Sequence, residues 1–321
     1  MTDTYSGKVF TFDPESHTAS STSLCATAQN STGEILFFKG IAYVCVGDYG
    51  NDDPGLYRFD PSDENPTPIR IGTEIDAQYI AFASSTKAYL STYSAGLYSF
   101  DPSSSSPSFS PISGTSGMIL QDVIVGSDGM VYVADNANGA VLRVNPSDDS
   151  IESTVSTSAG GTTGLVAGSY SGSAGVFVAN TGAYDSTPPY AQEPGSIDFI
   201  ANSATISTPV ANALTGGGSI HPARLVQPSD ENLVATGYGH TYRIDLSGAA
   251  VAVAELTASG ASFGSLDIGY RDGLVYVPAS GYQTSTNYLY VFGEDGVQEA
   301  FSPVSVMEIG DGLSFIAFYE D

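Results

Sequence analysis

Gln121–Ser150 reads QDVIVGSDGMVYVADNANGAVLRVNPSDDS, three short strands with a turn signal after each. Asp122–Gly126 is a short apolar run, and Ser127-Asp128-Gly129 supplies a tight hairpin turn. Met130–Ala134 alternates onto a second strand, and Asn136–Gly139 turns the chain again. Ala140–Val144 is a third strand, closed at Asn145-Pro146, where proline has no N–H to give to a ladder.

The third-strand signature, an apolar–aromatic alternation that often ends in Asp-Pro, recurs along the chain. It stands at Val9–Pro14, Leu56–Pro61, Leu97–Pro102 and Val141–Pro146, and in weaker form at Ser196–Phe199, Thr241–Asp245 and Leu289–Phe292. Taken at the second residue of each of these seven copies, the spacings are 47, 41, 44, 55, 45 and 48. Four short strands per repeat of this length is the pattern of a β-propeller blade. From position 290 there are 31 residues to the end of the chain and 10 from the start to the first copy, a further 41 that closes one circuit. The expected fold is therefore all-β, a seven-bladed β-propeller of four-stranded antiparallel blades forming a single domain over residues 1–321.

The ends say how the ring shuts. Thr4–Pro14 aligns with Thr92–Pro102, so the N-terminus enters at the end of a second strand, and Leu313–Phe318 has the character of the missing first strand. Pairing of the two terminal segments in one blade removes the sheet edge. Numbering that blade one, first strands are expected at Glu34–Phe38, Gln78–Ala83, Asp122–Gly126, Gly164–Gly168, Ala223–Gln227 and Gly264–Ile268 for blades two to seven. Phe10, Tyr57, Tyr98, Tyr242 and Tyr290, one per blade, are assigned to packing between blades.

Thirty-five acidic against nine basic residues give a net charge of −26. Such a surface repels phosphate backbones, so no nucleic-acid partner is expected. A solubilising surface of an extracellular or salt-adapted protein accounts for this charge, and a face that collects cations or a basic partner is the alternative. No run of eighteen apolar residues occurs, so no transmembrane segment is expected. The first residues lack a basic segment followed by an apolar one, which means either that a leader has been removed or that the protein is not exported. The Ser/Thr/Tyr-rich, Lys-poor make-up favours an extracellular, cell-surface or periplasmic location, and with it a disulfide between Cys25 and Cys45.

In a propeller, the loops joining the second strand to the third and the fourth to the next first share one face, and long loops on a regular scaffold carry function. Three stand out: Asp48–Gly55, Thr181–Gly195 and Ser280–Asn287. Tyr49, Asp52, Tyr184, Asp185, Tyr190 and Tyr282 in these loops are candidate binding residues, since a stiff amphipathic ring offers contact area at low entropy cost. Residues just before each first strand line the channel mouth. Among them Glu34, Asp76 and Asp122 are candidate metal ligands and His221 and Arg224 candidate binding groups; Gln78, Gln121, Thr163, Ser265 and Asp311 complete the mouth. Ca2+ is the ion such oxygen ligands would accept, although no D-x-[DN]-x-[DN]-G loop is present and a chain without a cofactor is the simpler expectation. Of the three histidines only His221 is placed to act as a base at the channel.

The blade of Val123–Gly129, Val131-Tyr132-Val133-Ala134-Asp135-Asn136 and the following third strand resembles blades of the NHL and SMP-30/lactonase-like propeller superfamily. That resemblance implies a seven-bladed propeller and a group that includes calcium-dependent lactonases, streptogramin lyases and many non-catalytic binding propellers. The Glu, Asn and Asp set that holds metal in the lactonases is not placed residue by residue in this sequence, and their activity is not carried over. The reading that follows is a binding or assembly module that meets a protein or glycan partner through its long loops. A metal-assisted lactonase or lyase at the channel mouth and a self-associating subunit of an extracellular filament or surface layer are the alternatives.

Overall fold

The computed structural model describes all residues except 4–5, 17, 21, 28–31, 49–52, 185–192, 204–205, 212–219, 238, 249–250, 259–260, 263–264, 266, 280–286, 294–303, 307–312 and 320–321. Its strands form seven blades in a ring, each an antiparallel sheet whose strands A to D run from the central channel outward. Blade one takes strand A from Leu313–Phe315 and strands B, C and D from Thr2–Asp3, Lys8–Val9 and Cys25–Ala26, so the two ends of the chain do share a blade. Its third strand is shorter than the repeat suggests: Phe12–Asp13 leaves the sheet and pairs with Thr18–Ala19 in a separate hairpin.

Blade four shows why the blades are ordered as they are. Strand B, Val131–Asp135, is buried at every position, whereas strand D, Ser150–Ser156, alternates exposed and half-buried. Neighbouring blades cover both faces of the inner strands, while the outer strand at the rim faces water. Strand B is accordingly a nearly continuous buried run in blades two and seven as well, at Ile41–Val46 and Leu274–Ala279.

Strands A of blades two to six are Thr32–Phe38, Ala77–Ser84, Leu120–Val125, Thr162–Tyr170 and Pro222–Ser229. Each carries a register shift near its start, between Thr32 and Ile35, Ala77 and Tyr79, Leu120 and Val123, Thr162 and Gly164, and Pro222 and Arg224. A bulge lets the channel-side residue leave the ladder, as Glu34 and Asp122 do, while Arg224 follows one and stays paired with Thr236. In blade seven the described strand A is Gly269–Arg271, and the expected Gly264–Ile268 lies partly outside the described residues. Asp267, two residues before it, accepts backbone N–H groups, that of Ile316 at 2.9 Å.

The cysteines are free thiols, both buried, so the expected disulfide does not form. Cys25 packs between blades one and two with Ile35, Val44 and Val46, whereas Cys45 packs on the other face of blade two with Tyr43, Leu56 and Ile80. Alternation along strand B puts Cys45 on the face turned away from blade one. Burial pushes the Cys25 thiol up to about 12 and raises Cys45 as well, so neither is a reactive thiolate. Of the five repeat aromatics, Phe10, Tyr57 and Tyr242 are fully buried, and Tyr98 and Tyr290 are partly buried and packed against inter-blade cores.

Candidate functional site

Three side chains and a backbone carbonyl, from four strand-A regions, meet in the channel. Arg224 of blade six donates from Nη1 to Asp122 Oδ2 of blade four at 2.9 Å and to the Thr163 carbonyl of blade five at 3.2 Å. Its guanidinium carbon lies 4.0 Å from the centroid of the Tyr79 ring of blade three. Both charged side chains of the pair are 8% exposed. One arginine therefore touches three other blades, which only a residue at the ring axis can do.

The carboxylates bind the blades to one another. Glu34 Oε2 accepts the Ile80 N–H at 2.7 Å, Asp122 Oδ2 accepts that of Leu165 at 2.8 Å, and Asp267 Oδ2 accepts that of Ile316 at 2.9 Å. Each bond runs from one blade to strand A of the next, and the last one fastens blade seven to the chain's C-terminal strand. Sequence reasoning missed Asp267, although Leu266-Asp267-Ile268 repeats the pattern of Gln121-Asp122-Val123 and could have found it.

These clips set the electrostatics. Burial raises the Glu34 carboxyl well above its usual range, with Asp122 adding to the effect and the Ile80 amide and Arg224 opposing it. Burial likewise pushes Asp267 up to about 6, against Arg224 and the Ile316 and Ile268 amides. Burial works against the charge on Arg224, but Tyr79 and the three carboxylates outweigh it and hold the guanidinium above its ordinary value. Both Glu34 and Asp267 keep partial contact with the channel, so water there moderates these shifts. Two carboxyls poised toward neutrality beside a fixed cation could exchange a proton, yet each has an oxygen committed to a backbone amide.

The remaining candidates go elsewhere. Asp76 does not join this set: it accepts the Asp48 N–H at 3.1 Å and the Gln78 amide at 2.8 Å, closing its own loop. His221 and Arg224 have different partners, since His221 Nδ1 lies 2.7 Å from the Thr181 carbonyl. Ser265 bonds back to Thr236 N-terminal to its own blade, and its hydroxyl donates to the Pro278 carbonyl. His240 is the first residue of strand C of blade six and pairs with Glu255. Among the described residues no group of three or more His, Cys, Asp or Glu is placed to hold a metal ion.

On the B–C loop face, the longest loop is fixed at its base. Thr181 N and Gly182 N bond to the carbonyls of Gly161 and Gly160, and Glu193 N bonds to Ala183 O at 2.8 Å. Gly195 N reaches Ile220 O of the next blade. Beneath it, Asp198 receives Ser158 Oγ at 2.6 Å and Asn180 Nδ2 at 2.9 Å, and Thr162 donates to Asn180 Oδ1, a buried polar network with its members paired. Above that base Tyr184 is 65% exposed, and Tyr93 on the B–C turn of blade three is 52% exposed. Tyr49, Asp52, Asp185, Tyr190, Tyr282 and Asp311 lie outside the described residues.

No family model matches the chain, and no curated protein does. Solved structures do. A protein from Lactobacillus plantarum superposes with a TM-score of 0.72 at 15% identity, over 98% of this chain and 97% of that one. Kuenenia stuttgartiensis hydrazine synthase gives 0.68 at 12%, with 89% of each chain covered, and virginiamycin B lyase from Staphylococcus aureus 0.63 at 11%, with 90% and 88% covered. The likeness is one of fold. At that level the chain resembles seven-bladed propellers, virginiamycin B lyase among them. Among the described residues no helix is long and apolar enough to cross a membrane.

Proposed function

We propose that this propeller is an extracellular or cell-surface binding module whose B–C loop face meets a protein or glycan partner, with the loop of blade five at its centre. The observation that carries the reading is the exposed Tyr184 on a loop fastened to two neighbouring segments. A pre-organised aromatic on a rigid base contributes contact area without paying to order the loop. The channel supports the same reading from the other side, because its carboxylates are engaged in joining blades. The extracellular placement rests on composition.

The test is a comparison of the native chain and Tyr184→Ala on a glycan array and a panel of immobilised surface proteins. Binding that drops at least tenfold in Tyr184→Ala, with unchanged melting, supports the reading; binding indifferent to Tyr184 and to Tyr93 sinks it. A second reading, a metal-assisted lactonase or lyase, draws on the raised carboxyls beside Arg224 and on the lyase among the structural neighbours. Metal content of the purified protein and turnover of a lactone panel, lost in Asp122→Asn, would favour it over the binding module. Self-association of the native chain in sedimentation would favour the filament or surface-layer reading.

A further inference from the structure

On the face opposite the B–C loops, a cleft of about 460 Å³ opens between blades two and three. Its walls include Phe38, Lys39, Tyr43, Arg58 and Ile69, with Asp60 and Asp63 on the rim turn. Two of the chain's nine basic residues stand here, and among the described contacts neither has a carboxylate partner.

The neighbouring blades show what this position normally holds. In blade four, Tyr132 pairs across strands with Arg143, and both converge on Asp128 Oδ2 at 3.0 Å. In blade three, Tyr89 pairs with Ser99, and the Tyr89 hydroxyl, Ser99 and Lys87 converge on the Asp149 carboxylate at 2.5, 3.1 and 2.6 Å. Blade two keeps the tyrosine and the cation, Tyr43 opposite Arg58. It lacks the acid. Lys39, before Gly40 in the A–B turn, stands where Asp128 precedes Gly129, and Ser105 takes the place of Asp149 in the next blade's turn. Tyr43 and Arg58 are left facing the backbone carbonyls of Pro102, Ser104 and Ser105 at 3.0 to 3.4 Å. Those bonds orient the guanidinium without neutralising it. Asp60 is held by Ser62, which takes its Oδ1 at 2.7 and 2.9 Å, so it is engaged in its own turn.

We propose that this cleft binds a small organic carboxylate with a flat apolar body, its acid group taking the place that Asp128 and Asp149 fill in the adjacent blades. The body would lie along Phe38, which is backed by Phe82 in a parallel stack at 4.2 Å, and against Ile69, 64% exposed. Volume, cations and apolar wall together suit a ligand of the size of an aromatic acid. The site is independent of the B–C loop face.

Benzoate and 3-phenylpropanoate titrated into the full chain, followed by ligand-observed NMR, are the test, with benzamide and inorganic phosphate as controls. Saturable binding of the acids is expected, with benzamide and phosphate at least tenfold weaker. Lys39→Asp, which restores the acid of blade four, is expected to weaken binding at least tenfold with melting unchanged, and Lys39→Asn, suited to the same turn, to weaken it severalfold. Absence of saturation to about 10 mM acid, equal binding of benzamide or of phosphate, or binding unaffected by both Lys39 variants would overturn the proposal.

Discussion

Asp122 and Arg224 are 102 residues apart in the chain and 2.9 Å apart in the channel. A buried pair of this kind adds little net stability while intact, but losing one partner strands the other charge. Arg224→Met is expected to destabilise the fold by about 3–5 kcal/mol, and Asp122→Leu with Arg224→Leu together to recover most of that loss, both read as shifts in urea midpoint. Asp267 gives a pH signature. Its folded value of about 6 lies above the ordinary carboxylate range, so the folded chain holds the proton more tightly than the unfolded chain. The stability this contributes is fully present below about pH 4 and is lost as pH rises through 6. Compared with Asp267→Asn, whose side-chain oxygen can still accept the Ile316 amide, the native chain should lose stability between about pH 4 and 7, by less than about 3 kcal/mol because channel water screens the charge. Parallel urea curves for the two proteins across that range would contradict it.

The turns between strands are held by short side-chain bonds that repeat with the blades. Asp60, Asp101 and Asp245 each accept the backbone N–H and hydroxyl of the serine two residues on, and Asn145 does the same for Ser147. Asp149 at φ 62° extends this pattern into a seam, reaching from blade four to blade three. Burial opposes its charge, but Lys87, Tyr89 and Ser99 outweigh that and hold its carboxyl below the usual range. Its contribution is therefore present above the ordinary carboxylate pKa and lost as pH falls through the lowered one. Asp149→Ala should cost about 1–3 kcal/mol in thermal unfolding, and Asp149→Asn less, since asparagine tolerates positive φ. In the loop of blade five, Gly182 has φ 91°, and a Cβ there would come within 1.8 Å of the Glu193 carbonyl. Gly182→Ala should unfasten that loop alone: faster amide exchange at Glu193 and weaker partner binding, with melting little changed.

At the scale of the ring, strand A of blade one pairs through Thr2 with Phe315 and Asp3 with Leu313, a short ladder reinforced by Asp267 on one side and by Thr2 and Thr32 hydroxyls bonded to Gly33 and Asp3 on the other. Removing residues 313–321 should expose strand B of blade one as an open edge and leave blade seven without a neighbour. A large fall in melting temperature with aggregation is expected, and a truncated chain that melts as the native one does would show that closure contributes nothing.

Blade number, strand order and the shared terminal blade were legible because they follow from a local pattern, the apolar–aromatic alternation repeated at near-constant spacing. Even Tyr57 and Tyr242 could be placed in the core from that rhythm. In blade seven the described strand A is Gly269–Arg271, the expected Gly264–Ile268 lying partly outside the described residues, and the bond from the Ile316 amide to Asp267 beside it was not legible. The separate fates of Cys25 and Cys45, the exclusion of Asp76 from the channel and the joining of Asp122 to Arg224 were equally beyond a linear reading. The repeat gives each side chain its place within a blade; its neighbours come from how far the ring turns between one blade and the next, and that rotation is set by packing between residues dozens to hundreds of positions apart.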